Sequence, residues 1–111
     1  MPIIIHPEEM RTERQGESWS EITLADEEAI GHPAIVARRW SLAPNSRSPQ
    51  MVHGEAEQLL YVIQGNGVAI VGGEHLPLEP ETMLWLEPGD AYHFEAGPEG
   101  LEILQGYPPE R

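Results

Sequence analysis

Residues 50–65 read QMVHGEAEQLLYVIQG, and their order decides the fold. A histidine, His53, and an acid-rich turn precede a hydrophobic stretch that ends on Gly65. Residues 58–64 are rich in β-branched and aromatic side chains, which suit a pleated strand. Side chains of a strand alternate between its two faces, so Gln58, Leu60 and Val62 lie on one face. Such an order can carry a polar, potentially metal-binding cluster on the inner wall of a small β-barrel, here incomplete as a metal site. Gly65-Asn66-Gly67 reads as a tight hairpin turn, because glycine and asparagine tolerate positive φ. Residues 68–71 then read as the returning partner strand, and Gly72-Gly73 as a further turn.

Outward from this stretch the pattern repeats. Residues 34–42 alternate cleanly: Val36, Arg38, Trp40 and Leu42 share one face, and Ile35, Ala37, Arg39 and Ser41 the other. Residues 17–24, 82–86, 91–95 and 101–105 read as further strands. Residues 25–33 read as an acidic loop with a Gly31-His32-Pro33 turn, 44–49 as a loop, and 97–100 as a turn. Residues 1–16 read as an N-terminal arm or edge strand, with a short strand at 2–6. Turns every eight to twelve residues predict a β-sandwich or barrel.

Composition narrows the function. The chain has 111 residues, enough for one domain (1–111) with a modest core. Eleven glycines and eleven prolines favour short strands over helices. The formal net charge is −13, and every basic side chain apart from histidine is arginine. Nucleic-acid binding needs clustered cations to neutralise phosphates, so no nucleic-acid partner is expected. Anionic membranes are disfavoured for the same reason. There is no cysteine, hence no disulfide or thiolate chemistry. The early apolar run, residues 3–5, is too short for a signal-peptide core or a membrane span, so a cytoplasmic location is expected.

Two segments resemble the cupins, small jelly-roll barrels: HGEAEQLLYVIQGNGVAIVGGE from His53, and TMLWLEPGDAYHF from Thr82. The resemblance covers residues 34–105. It implies an all-β jelly-roll barrel of two antiparallel sheets, with a metal held by histidines and a Glu or Gln. His53 matches the second histidine of the first cupin motif and Gln58 its acid or amide ligand. Met51 stands where the first histidine is usual. In the second motif the register puts Tyr92, not His93, at the third histidine, and Phe94 on the face of Tyr92. His93 points outward unless a bulge adds a residue. The metal-ligand set is therefore degraded. The resemblance leaves His53, Gln58 and either His93 or Tyr92 as candidate ligands for a divalent transition metal (Fe, Mn, Ni or Zn).

The alternative is a hydrogen-bonded pair, His53 and Gln58, lining a pocket for a small and mostly apolar molecule. Trp40, Met51, Leu60, Val62 and Phe94 would supply apolar walls, while His53, Gln58 and Tyr92 orient the ligand. Arg38 shares the face of Trp40 and would hold a carboxylate if that face points inward. The leading expectation is small-molecule binding in the barrel. The competing readings are a metal-dependent isomerase, dioxygenase or lyase, and an accessory or sensor protein. A homodimer is expected, with residues 3–5 as a candidate exchanged strand.

Overall fold

A computed structural model describes residues 2–31, 35–52 and 56–108. Among these residues, eight strands follow a 3-10 turn at Pro7–Glu9: β1 (Arg11–Gln15), β2 (Trp19–Ala25), β3 (Val36–Leu42), β4 (Met51–Val52), β5 (Gln58–Val71), β6 (Glu74–Leu78), β7 (Met83–Leu86) and β8 (Ala91–Tyr107). One short helix, α1 (Glu27–Ile30), lies between β2 and β3. The Asp26 side chain accepts a hydrogen bond from the Ala29 N–H at its N-terminus, and Gly31, at φ 91°, ends it.

All strand pairings are antiparallel and belong to one hydrogen-bonded sheet that folds over on itself. The fold is made by β5 and β8, which run through both layers. In the first layer, residues 58–62 of β5 pair with β7 on one side and with 103–106 of β8 on the other; β3, β2 and β1 continue the order outward from β8. In the second layer, residues 67–71 of β5 pair with β6 and with 92–96 of β8, and β4 adds to β8. The result is the all-β jelly-roll arrangement of two antiparallel layers.

The register between β5 and β8 shifts twice, between Val62 and Gln64 and between Gly65 and Gly67. These irregularities reset the alternation of side chains. Leu60 and Val62 point inward before the bend and Ala69 after it, an odd separation that an unbroken strand would not allow. β8 resets likewise, with Tyr92, Phe94 and Ala96 buried before the bend and Leu101, Ile103 and Gln105 after it. Both layers thereby turn their apolar faces to each other. The core is Trp40, Leu42, Leu60, Val62, Leu78, Leu86, Phe94, Leu101 and Ile103, with Ala69 and Ala96 where space is tight. Ser48 fastens the β3–β4 loop to this core: its hydroxyl accepts from the Phe94 N–H at 2.9 Å, and its own N–H donates to the Phe94 carbonyl.

Several sequence expectations need correction. Gly65-Asn66-Gly67 is no hairpin turn; β5 continues through it, and residues 68–71 pair with β8 and β6, not with 58–64. Residues 97–100 likewise lie within β8. The same residues that permit a tight turn also permit a bend in a continuous strand. Residues 2–6 form no strand; the edge strand of the arm is β1, paired with β2. β6 and α1 were not expected. Pro77 within the first hid it as a strand; the second rests on one turn of chain and a capping aspartate.

Candidate functional site

The side chains that β3, β5 and β8 turn inward at one end of the barrel are polar. Arg38 on β3 pairs with Gln105 on β8, which pairs with Leu60 on β5, so Arg38 and Gln105 are neighbours on the inner face. Gln58 lies one inward step beyond Leu60. Tyr92 reaches this group from the second layer. The Gln105 amide joins them: its Oε1 accepts from Trp40 Nε1–H at 2.9 Å, and its Nε2 donates to the Tyr92 hydroxyl at 3.0 Å and to Gln58 Oε1. The Tyr92 hydroxyl donates to Gln58 Oε1 over a long 3.4 Å. Burial pushes the Tyr92 phenol above its ordinary value, against the hydrogen bonds to Gln58 and Gln105 that pull it down, so it stays neutral. Gln58 Nε2 is buried and has no hydrogen-bond partner among the described residues.

Beside this network a cavity of about 310 Å³ opens to solvent. Tyr92 and Gln105 contribute to its wall, with Met51 from β4 and Tyr107 at the end of β8. Arg14, Glu21 and Arg38 complete the polar side. Glu21 is 3% exposed, and its carboxylate is held by two arginines: Arg14 Nε donates to Oε1 at 3.1 Å and Arg38 NH1 to Oε2 at 3.4 Å. A buried carboxylate needs such partners, since desolvation would otherwise neutralise it. The Arg14 guanidinium lies 5.9 Å from the Trp19 ring and 5.8 Å from the Trp40 ring; that of Arg38 lies 5.8 Å from Tyr107.

The structure divides the residues singled out from sequence. Arg38, Met51 and Tyr92 line the cavity. Trp40, Leu60 and Phe94 do not: they are at most 1% exposed and pack into the core, Trp40 and Phe94 edge to face at 5.8 Å. Their apolar surfaces close on each other, which leaves the cavity mostly polar where an apolar one was expected. Gln58 sits behind Tyr92 and Gln105, 1% exposed. His53 lies outside the described residues. His93 is on the outer face of the second layer, where its Nε2 is 3.0 Å from Glu95 Oε2 and 3.1 Å from Arg47 NH2. That hydrogen bond, with Arg47 nearby, holds the Glu95 carboxyl below the usual carboxylate range. His93 and Gln58 thus face opposite ways and do not share an ion. Glu21 and Gln105 went unnoticed in the sequence: each sits in an alternating strand at an apolar-face position, a signal that reads as a strand defect until the arginines and Trp40 are placed opposite.

A divalent transition metal needs about three convergent donors with free lone pairs. The described inward groups near Gln58 are two neutral amides and a neutral phenol, and Gln58 Oε1 already accepts two hydrogen bonds. No cluster of three His, Cys, Asp or Glu side chains that could hold a metal occurs among the described residues. The described donors alone make up no such set, and His53, the remaining candidate ligand, lies outside them.

Residues 38–104 match the cupin domain. The chain belongs to the cupin family. Among solved structures, it resembles a predicted oxalate decarboxylase from Thermotoga maritima, at 21% identity and a TM-score of 0.79 over 97% of this chain and all of the other. The polyketide cyclase RemF from Streptomyces resistomycificus is similar at 22% identity and 0.79, over the whole of this chain and 82% of RemF. KdgF from Halomonas sp. follows at 17% identity and 0.76, over 99% and 96%. At these identities the likeness is one of fold alone. No curated protein sequence matches the chain. No helix among the described residues is long and apolar enough to cross a membrane.

Proposed function

We propose that this cupin binds a small organic molecule in the cavity between Arg38, Met51, Tyr92 and Gln105. One observation carries the reading: a cavity of about 310 Å³ abuts a buried hydrogen-bond network that fixes two of its wall groups, Tyr92 and Gln105, in place. Preset polar groups beside a concavity of this size are what orient a ligand. The volume is at the small end for ligand sites and suits a single-ring or short-chain compound. The protein works in the cytoplasm as a homodimer.

A ligand-observed NMR screen of small organic fragments tests this against wild type and Met51→Trp, which fills the mouth of the cavity. Binding to wild type that is lost in the variant is expected. Fragments that bind both proteins equally would show that the cavity is not the site. Elemental analysis of protein purified without added metal addresses the competing metal-dependent reading. Near-stoichiometric Fe, Mn, Ni or Zn that disappears in His53→Ala would replace our proposal with that one, in which the ion acts as a Lewis acid or binds oxygen.

A further inference from the structure

We infer that the ligand is a small monocarboxylate, with its carboxylate docked on Arg38 and Arg14 beside Glu21; this rests on the cavity reading above. The first ground is charge. The chain carries a formal −13, yet two of its six arginines meet at one cavity and share one buried carboxylate. Two positive groups and one negative leave the wall at +1, in a partly desolvated place where a unit charge acts more strongly than in water. Glu13 does not line the cavity: its carboxylate accepts from the Thr23 hydroxyl at 2.5 Å and pairs at 3.0 Å with Arg11, which Asp26 and Glu28 share.

The second ground is geometry. Arg38 reaches Glu21 through NH1 alone, at 3.4 Å, and its Nε is buried with no hydrogen-bond partner among the described residues. A guanidinium can form two parallel bonds to one carboxylate, so Arg38 retains donor capacity that Glu21 does not use, and its buried Nε would serve a ligand once the side chain turns. Its guanidinium carbon lies 5.8 Å from the centroid of the Tyr107 ring, within cation–π reach. Across the cavity, the Tyr92 hydroxyl has among the described residues only a 3.4 Å bond to Gln58 for its proton and can turn it toward a carbonyl or hydroxyl of the ligand. A dianion fits poorly, because a +1 wall cannot balance it and the rest of the chain repels it.

Calorimetric titration with benzoate, benzamide and phenylphosphonate separates the outcomes, since these share a ring and differ in charge. Benzoate should bind at least about tenfold more tightly than benzamide, as a charge-assisted pair requires, and more tightly than the phosphonate. Arg38→Gln should remove that preference and leave benzamide within about twofold, because only the charged contact is lost. Glu21→Gln should act the opposite way. It removes the internal competitor, raises the wall from +1 to +2, and should tighten benzoate by about three- to tenfold. A merely structural role for Glu21 would never strengthen binding, so this variant decides even if Arg38→Gln fails to fold. Benzamide bound as well as benzoate, with Glu21→Gln neutral, overturns the carboxylate and leaves the cavity reading standing. No binding by any of the three, alongside a blank fragment screen, overturns both.

Discussion

Gln105 makes three side-chain hydrogen bonds in the buried network, to Trp40, Tyr92 and Gln58. Gln58 accepts two and leaves its own Nε2 without a partner among the described residues. The two amides are equally buried and of equal size, yet their removal should differ. Replacing Gln105 by Leu strands the Trp40 N–H and weakens the setting of Tyr92, and each buried group left unsatisfied costs about 1–3 kcal/mol. Replacing Gln58 by Leu takes two bonds from its neighbours but also removes an unpaired amide, so the effects partly offset. Urea unfolding should therefore show Gln105→Leu destabilised by about 3 kcal/mol or more and Gln58→Leu by less than about 1.5 kcal/mol. Equal losses would mean that the two bonds Gln58 accepts outweigh the cost of its unpartnered Nε2. Alternation put Arg38 on the face of Trp40 and Tyr92 on that of Phe94, because period-two patterning needs only neighbouring residues; it left open which face turns inward. It could not place Glu21 opposite Arg38, since that contact depends on which strands pair.

Pairing is also where the reading of elements failed. A glycine-rich stretch inside an apolar run signals that the chain changes direction, but not whether it reverses or bends. At Gly65-Asn66-Gly67 it bends, and the packing shows why glycine is needed. A Cβ on Gly67 would lie 2.1 Å from the Glu95 carbonyl oxygen, and one on Gly65, at φ 85°, 2.2 Å from that of Gly100. The two long strands cross here backbone against backbone. By contrast Gly72, in the turn after β5, has positive φ but open space around it. Gly67→Ala should cost about 3 kcal/mol or more, because main-chain atoms on β8 must move. Gly72→Ala should cost only about 1 kcal/mol, the strain of a left-handed alanine. Thermal unfolding of the two variants side by side checks this. If Gly67→Ala is the milder one, residues 65–67 form a loose turn and the continuous strand is wrong.

At the scale of the whole molecule, the outer face of the first layer is the largest feature that the cavity leaves unexplained. Trp85 and Met83 of β7 project from it at 59% and 62% exposure, with Ile35 at 62% and Ile63 and Leu104 exposed alongside. Register joins most of these into one patch: Trp85 pairs with Leu59, Met83 with Tyr61, and Tyr61 with Leu104. Contiguous exposed apolar surface of this kind marks an interface. In the homodimer we propose, a second copy covers it. An acidic chain at −13 meets its own kind at low cost only where the contact carries no charge, and the centre of this face carries none. The Arg39–Glu102 pair on the same face, at 2.7 Å, brings both signs and so no net repulsion. A two-fold arrangement sets apolar sheet on apolar sheet. Residues 3–5, in no sheet and with Ile3 and Ile4 exposed, are the segment we propose is exchanged in that dimer. Light scattering at micromolar concentration should give twice the 12.4 kDa of one chain. Trp85→Glu should give a monomer, with a melting temperature that no longer rises with protein concentration as a dimer's must. A wild-type monomer would remove the dimer. A dimer that survives Trp85→Glu but not removal of residues 1–10 would move the interface from the sheet face to the exchanged arm.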